Sequence, residues 1–359
     1  MLNLTINSLT NLRFKYFYTY ICNNQCVIVV KSFFRYIVYC AIFAFLASCN
    51  GQEKLRRVPA VDVKFSDLTK LMIDYKHMDS ASRMSAIDLY GPEISALMMV
   101  VGVDSVNDEK LMQWSSSPTV ELYTPAIDSI FPTKDCVKHY IEYTIGAAQL
   151  YGLNYRDRRY ATVAYANTHA ILFVDSVMLI ALNHFIGADF IAYSNMPNYL
   201  RKHKTPENLK YAIAEAITAI NYPYLAEGPN ATLLSRMLYE GALVKVIMSV
   251  VENPKLNQAF GYSPEEMSFI KKNESELWRQ LVAAKLLYET SESTIDRFVN
   301  PSPAVRGLDT IWPGRVGRFI GYNIVESYCK AHPETSLAYL LSPQFYNSSS
   351  TLADSHYNK

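Results

Sequence analysis

The stretch Tyr211–Ile220, YAIAEAITAI, carries a single ionisable carboxylate, Glu215, inside an otherwise uncharged helical pattern. A glutamate in that setting has one well-defined chemical use. In H-E-x-x-H two imidazoles lie one turn apart on the same helix face and hold a Zn²⁺ ion, while the glutamate between them activates the metal-bound water. Here the spacing reads Ala214-Glu215-x-x-Thr218, so the base position is kept and both imidazoles are missing. The remaining protein ligand of such a centre comes from a later helix, and Glu240, followed by Gly241 in MLYEGALVKV, stands on the next helical segment. Alanine and threonine offer a metal no strong donor. Ala214, Glu215, Thr218, Glu240 and Gly241 are therefore expected to mark a cleft that has lost its ion, with no catalytic residue, no bound metal and no cofactor. A solvated Glu215 that matches the spacing by accident is the competing reading.

Other catalytic constellations are incomplete. None of the seven histidines has a second histidine four residues away, and G-x-S-x-G is absent. PGRVGRFIG spaces its glycines as G-x-x-G-x-x-x-G, which suits close helix packing better than a phosphate cradle. Two alternatives stay open. A metal-dependent hydrolase would use Glu215 as base with distant ligands such as His169, His184 or His203, and a ligand-binding protein would line its site with some of the 27 tyrosines. Asn273, Glu274, Arg315 and Arg318 are polar helix residues placed to support the cleft, though solvation or helix packing explains them equally well.

The elements that must position these residues are mostly helical. Leu68, Leu71, Met72 and Tyr75 fall at i, i+3, i+4, i+7, with Ser66 as N-cap; GPEISALMMVVGV predicts a buried helix, and Asp135 to Leu153 another. From Arg158 to Phe190, β-branched and aromatic residues broken at Asn167-Thr168 and Asp175-Ser176 predict two or three strands of a small antiparallel sheet. Helices then return. Thr205-Pro206 opens the one that holds Glu215, and Ser263 with Glu266 forms a capping box for a later one. The expected class is α+β, mainly helical.

The N-terminus is patterned for export. Lys31 and Arg35 precede twelve uncharged, mostly apolar residues, Tyr36 to Ala47, which rise about 18 Å as a helix against a hydrocarbon core of roughly 30 Å. That is a signal-peptide core, too short to span. LASC, Leu46 to Cys49, resembles the lipobox of bacterial lipoproteins, in which the cysteine is acylated and becomes the mature N-terminus; more than one acyl chain on Cys49 gives stable membrane attachment. The expected organisation is a leader over 1–48, extended beyond a usual start, a lipid-anchored tether over 49–64, a globular domain over 65–342 and a tail over 343–359. Of the 34 basic residues, Arg13, Lys15, Lys31 and Arg35 precede Cys49, where no acid occurs, so the remainder carries a formal −3 and gives no reason to expect nucleic-acid binding. Cys136 and Cys329 are left either to pair or to remain buried thiols.

Five stretches in order and spacing resemble the gliding-motility lipoprotein GldB family of Bacteroidetes: LNHFIGADF (182–190), MPNYLRK (196–202), TLLSRMLYEGALVKVIMSVV (232–251), GYSPEEMSFIKKNESELWRQLVAAKLLYET (261–290) and PGRVGRFIGYNIVESY (313–328). The resemblance implies a degenerate, gluzincin-type zinc-peptidase core without catalysis. It also implies a lipoprotein on the periplasmic side of the outer membrane, tied to gliding and its secretion machinery, acting through an envelope protein partner. Ala242, where the family tends to have lysine, and Asn183-His184 depart from the family pattern.

Overall fold

The computed structural model describes residues 57–359 apart from Asp104. The leader, Cys49 and the start of the tether lie outside the described residues. All the elements named below belong to the unit Val58–Lys359.

The sheet has four strands: β1 Lys64–Asp67, β2 Arg159–Val163, β3 Ile171–Val174 and β4 Val177–Ala181, in the order β1-β2-β4-β3. The expected class holds, but the sheet is mixed. β1 and β2 are parallel, β2 and β4 are parallel, and only the β3–β4 hairpin is antiparallel. The physical reason was present in the sequence of β4, VMLIA, whose five residues are all buried. Strands covered on both faces read as unbroken apolar runs and belong to parallel arrangements, whereas a one-sided antiparallel strand alternates. Asp175, at φ +50, forms the tight turn between β3 and β4.

Alternate residues of the two central strands supply two cores. Ala161, Val163, Val177 and Leu179 join Leu68, Met72, Ile94, Leu97 and Leu111 on one face. These come from α1 Leu68–Tyr75, α3 Gly91–Val100 and α4 Asp108–Ser115, with α2 Ser80–Leu89 beside them. On the other face Tyr160, Met178 and Ile180 pack with Ile127, Val137, Ile141 and Ile213. Those belong to α5 Pro118–Ile130, α6 Asp135–Leu150 and α7 Pro206–Asn221. The long passage from β1 through α6 is the crossover that the parallel β1–β2 pair requires.

A third core surrounds α8 Leu233–Val250, which is buried along most of its circumference and is covered by α12 Val316–Ala331 and α11 Glu292–Val299; α9 Pro264–Lys272 and α10 Glu274–Ala283 lie at its margin. α8 and α12 cross at Gly241 and Gly321, where a Cβ on either glycine would run into the other helix's backbone. Gly241 thus serves a helix crossing. The capping box of α9 is present as expected, Ser263 Oγ accepting from Glu266 N at 3.1 Å.

Three boundaries differ from expectation. Ser66 lies in β1 and donates to buried Glu93 at 3.0 Å, while Asp67 caps α1. Residues 58–64, expected as tether, are already packed or in strand, with Pro59 seated against Gly146. Residues 343–359, expected as a tail, form two short helical turns and bury Phe345, Tyr346 and Tyr357 on the third core. Their serine-rich middle conceals aromatic anchors on either side. Cys136 and Cys329 are free thiols in different cores, each pushed up in pKa by burial.

Candidate functional site

Three helices bring the charged residues together. α7 starts at Pro206 after Thr205, whose Oγ1 accepts from Asn208 Nδ2 at 3.1 Å. α8 opens with a Thr232–Ser235 capping box. α12 follows Gly314 and Arg315, the latter in the left-handed region at φ +64, so Arg318 on its first turn enters the space between α7 and α8.

The Arg318 guanidinium is the centre of the cluster. It donates through Nη1 to Glu215 Oε1 at 2.7 Å and through Nη2 to Glu215 Oε2 at 3.0 Å, a bidentate fork. Glu240 Oε2 stands 3.5 Å from the same Nη1. Arg236 donates through Nε to Glu240 Oε1 at 3.0 Å from one turn earlier on α8, and its guanidinium lies over Tyr224 and Tyr239. The Arg318 side chain is 2% exposed and that of Glu240 9%, while Glu215 keeps 35% of its side chain open. Glu215 is therefore a partly exposed carboxylate with each oxygen hydrogen-bonded to Arg318.

The electrostatics follow from this geometry. Enclosure raises the pKa of the Glu215 carboxyl, but the charge and hydrogen bonds of Arg318, with Arg315 and Arg236 behind, pull it net below the usual range. Burial would lower Arg318; Glu215 and Glu240 overcome this and raise it above its ordinary value. Arg315 goes down, through burial and then the neighbouring charge of Arg318.

The other marked residues turn away from this centre. Ala214 and Thr218 are fully buried. Thr218 Oγ1 bonds the Ala214 carbonyl at 2.7 Å and the Tyr155 hydroxyl at 2.8 Å. Together with Gly241 at its helix crossing, these residues are packed between elements, whereas Glu215 and Glu240 meet at Arg318. His184 ends the sheet region beside Lys204, and His203 packs on Gly261 near Arg315. Neither these nor His169 is hydrogen-bonded to Glu215 or Glu240, and among the described residues no three His, Cys, Asp or Glu side chains are grouped to hold a metal. Asn273 caps the Phe269 carbonyl, and Glu274 accepts from Tyr357 and pairs with Lys359, both apart from the arginine cluster.

The donor set does not fit the Zn²⁺ centre whose spacing it shares. A carbon side chain and a hydroxyl already bonded on both sides stand where imidazoles belong, and a guanidinium sits between the two carboxylates. Sequence reasoning placed Arg318 among several supporting residues and missed that it is the partner of both glutamates; 103 positions separate it from Glu215, and spacing along a chain carries no signal at that range. Lys204 was missed altogether.

Fold and site together define an α+β protein with a mixed sheet and a carboxylate pair closed on a buried arginine, and among its described residues no helix is long and apolar enough to cross a membrane. The chain belongs to the GldB family: the family model described as gliding motility protein GldB matches residues 48–359. That family is one of gliding-motility lipoproteins. No curated protein and no solved structure gives a significant match to the chain.

Proposed function

We propose that this protein is a non-catalytic lipoprotein, anchored through Cys49 to the outer membrane on its periplasmic side, that acts by binding an envelope protein of the gliding and secretion apparatus. In this reading α7 and α8 are the helix pair of a gluzincin-type peptidase, rewired so that a guanidinium is held between the glutamate at the base position and the glutamate at the third-ligand position. The observation that carries it is the double engagement of Arg318: both Glu215 oxygens are held on one guanidinium, whose charge keeps the carboxyl below its usual pKa and so makes it a poor base toward water. Family membership and a match that begins one residue before Cys49 support the anchor.

Metal analysis and peptide hydrolysis test the non-catalytic part. Purified protein is expected to contain zinc far below one equivalent and to leave a mixed peptide pool uncut. Stoichiometric zinc, together with hydrolysis that disappears in Glu215→Gln, would overturn the reading. Cys49→Ser tests the anchor separately and is expected to move the protein from the membrane fraction to the soluble one.

A further inference from the structure

β2 and β4 run parallel and end side by side, and the chain leaves each through a loop, 164–170 after β2 and 182–187 after β4. Those loops, with α5 and the segment 192–204, border an open pocket of about 420 Å³ whose lining includes Tyr123, Tyr165, Asn183, His184, Tyr193 and Lys204. Ligands of open parallel sheets collect outside the carboxyl ends of the strands, and this volume lies in the range of small-molecule sites.

The walls are held in place before any ligand arrives. Asn183 ties the two loops together, its Oδ1 accepting from Tyr165 N at 3.3 Å and its Nδ2 donating to Tyr165 O at 3.1 Å. The Tyr193 hydroxyl donates to the Asn183 carbonyl, and that of Tyr165 to the His169 carbonyl at 3.1 Å.

The charge within is unbalanced. Lys204 Nζ lies 2.6 Å from His184 Nδ1 and 5.4 Å from the Tyr193 ring centre, and among the described residues it has no carboxylate partner. Burial, then the charge of Lys204, holds His184 down to about 4, so its ring is neutral and Nδ1 accepts from the ammonium. Burial brings Lys204 down to about 8, which leaves it mostly protonated at neutral pH. An ammonium has three N–H donors, and His184 takes one. Among the described residues no Asp or Glu lines the pocket. A half-buried cation without a counter-ion is unfavourable in the free protein and is relieved when a ligand brings the anion.

We propose that this pocket binds a small aromatic carboxylate, its acid group paired with Lys204 and its ring packed between Tyr123, Tyr165 and Tyr193. A single ammonium matches one negative charge, and the tyrosine walls match a flat organic body. Lysine also binds phosphate as a point charge, so the choice of a carboxylate rests on the aromatic walls and the single cation, and a phosphate control decides between them. The site is separate from the Arg318 cluster, so its failure leaves the reading of that cluster untouched.

The test is titration calorimetry on the full-length protein in detergent, with sodium benzoate as probe and benzamide and inorganic phosphate as controls. Benzoate is expected to bind saturably. Benzamide in place of benzoate, or Lys204→Met in place of lysine, should each weaken binding about tenfold or more, as loss of one charge-assisted hydrogen bond implies. Phosphate should not compete. No benzoate binding, equal affinity for benzoate and benzamide, unchanged affinity in a folded Lys204→Met, or displacement by phosphate would each overturn the proposal. The benzoate–benzamide comparison uses unmodified protein and does not depend on any variant folding.

Discussion

Arg318 and Lys204 are both cations withdrawn from water, and the fold treats them differently. Arg318 lies between helices, closed by Glu215 and Glu240, with its donors committed on the carboxylate side. Lys204 lies at the strand ends, meets only a neutral imidazole and an aromatic face, and opens into a pocket. A buried cation whose charge is met by two carboxylates holds elements together and has little charge left to offer a ligand, even though Arg318 Nε itself has no hydrogen-bond partner among the described residues. An incompletely paired one contributes little to stability and keeps its field for something that arrives.

The largest effect should come from opening the closed centre. Arg318→Met leaves Glu240 almost buried beside Arg236 and strips Glu215 of its fork, and removing one partner of a buried pair costs about 3–5 kcal/mol. Lys204→Met keeps the aliphatic stem and removes a charge that had no counter-ion, so stability should stay within about 0.5 kcal/mol or rise. Denaturant titration of the two variants measures the contrast directly. Equal losses would mean that the two cations are held alike and that the distinction drawn from their partners is wrong.

Acid should sharpen the comparison next. His184 and His203 are both held down to about 4, from an ordinary 6.5, by burial first and then by adjacent cations, Lys204 for one and Arg315 with Lys202 for the other. A histidine depressed in the folded state contributes stability that is whole above about 6.5 and is lost as pH falls through about 4, because the unfolded chain takes up the proton first. Glu215, also depressed, adds its loss only below its ordinary 4.5. The melting temperature is therefore expected to decline below pH 6.5, with the Arg318 centre contributing only at the acid end, and to rise above about pH 8 as Lys204, held down to about 8 from 10.5, gives up its buried charge before the unfolded chain does. His184→Asn should remove part of the slope between pH 6.5 and 4. A melting temperature constant from pH 7 to 5 would contradict the burial assigned to both rings.

Much of the helical framework was legible because its signals are local. The Ser263–Glu266 capping box, the Thr205-Pro206 start and the polar breaks around β3 depend on residues within a few positions of one another. Glycine spacing in PGRVGRFIG announced a close helix contact, and Gly321 makes it. The sheet's orientation was harder. β1 is four residues long and merges with α1, so its parallel pairing with β2, across almost a hundred residues of helix, left no mark except the apolar run in β4. At the candidate site the two glutamates were readable and the arginine between them was not, since an ion pair formed across 103 positions leaves no periodicity. The C-terminal aromatics were hidden in the same way: Phe345 and Tyr357 are anchors only because a third core exists for them to cover.

The smallest effect concerns how the open pocket's wall is held. Glu266 has two tasks. Its Oε2 accepts from Ser263 N at 2.8 Å in the capping box, and its two oxygens take Lys202 Nζ at 2.8 and 2.6 Å, two residues before Lys204. Ser263→Ala removes the cap acceptor and should lower stability by about 1 kcal/mol while leaving benzoate affinity unchanged, because Glu266 still holds Lys202. Glu266→Gln keeps an amide oxygen for the cap and loses the partly exposed ion pair, worth about 0.2–1 kcal/mol to the fold. Its stability should fall less than that of Ser263→Ala, yet benzoate binding should weaken a few-fold as the 198–204 segment loosens. The two variants thus separate support for α9 from support for the pocket. If both leave the benzoate titration untouched, the loop bonds through Asn183 hold the wall unaided, and the Lys202–Glu266 pair belongs with the closed, purely structural charges.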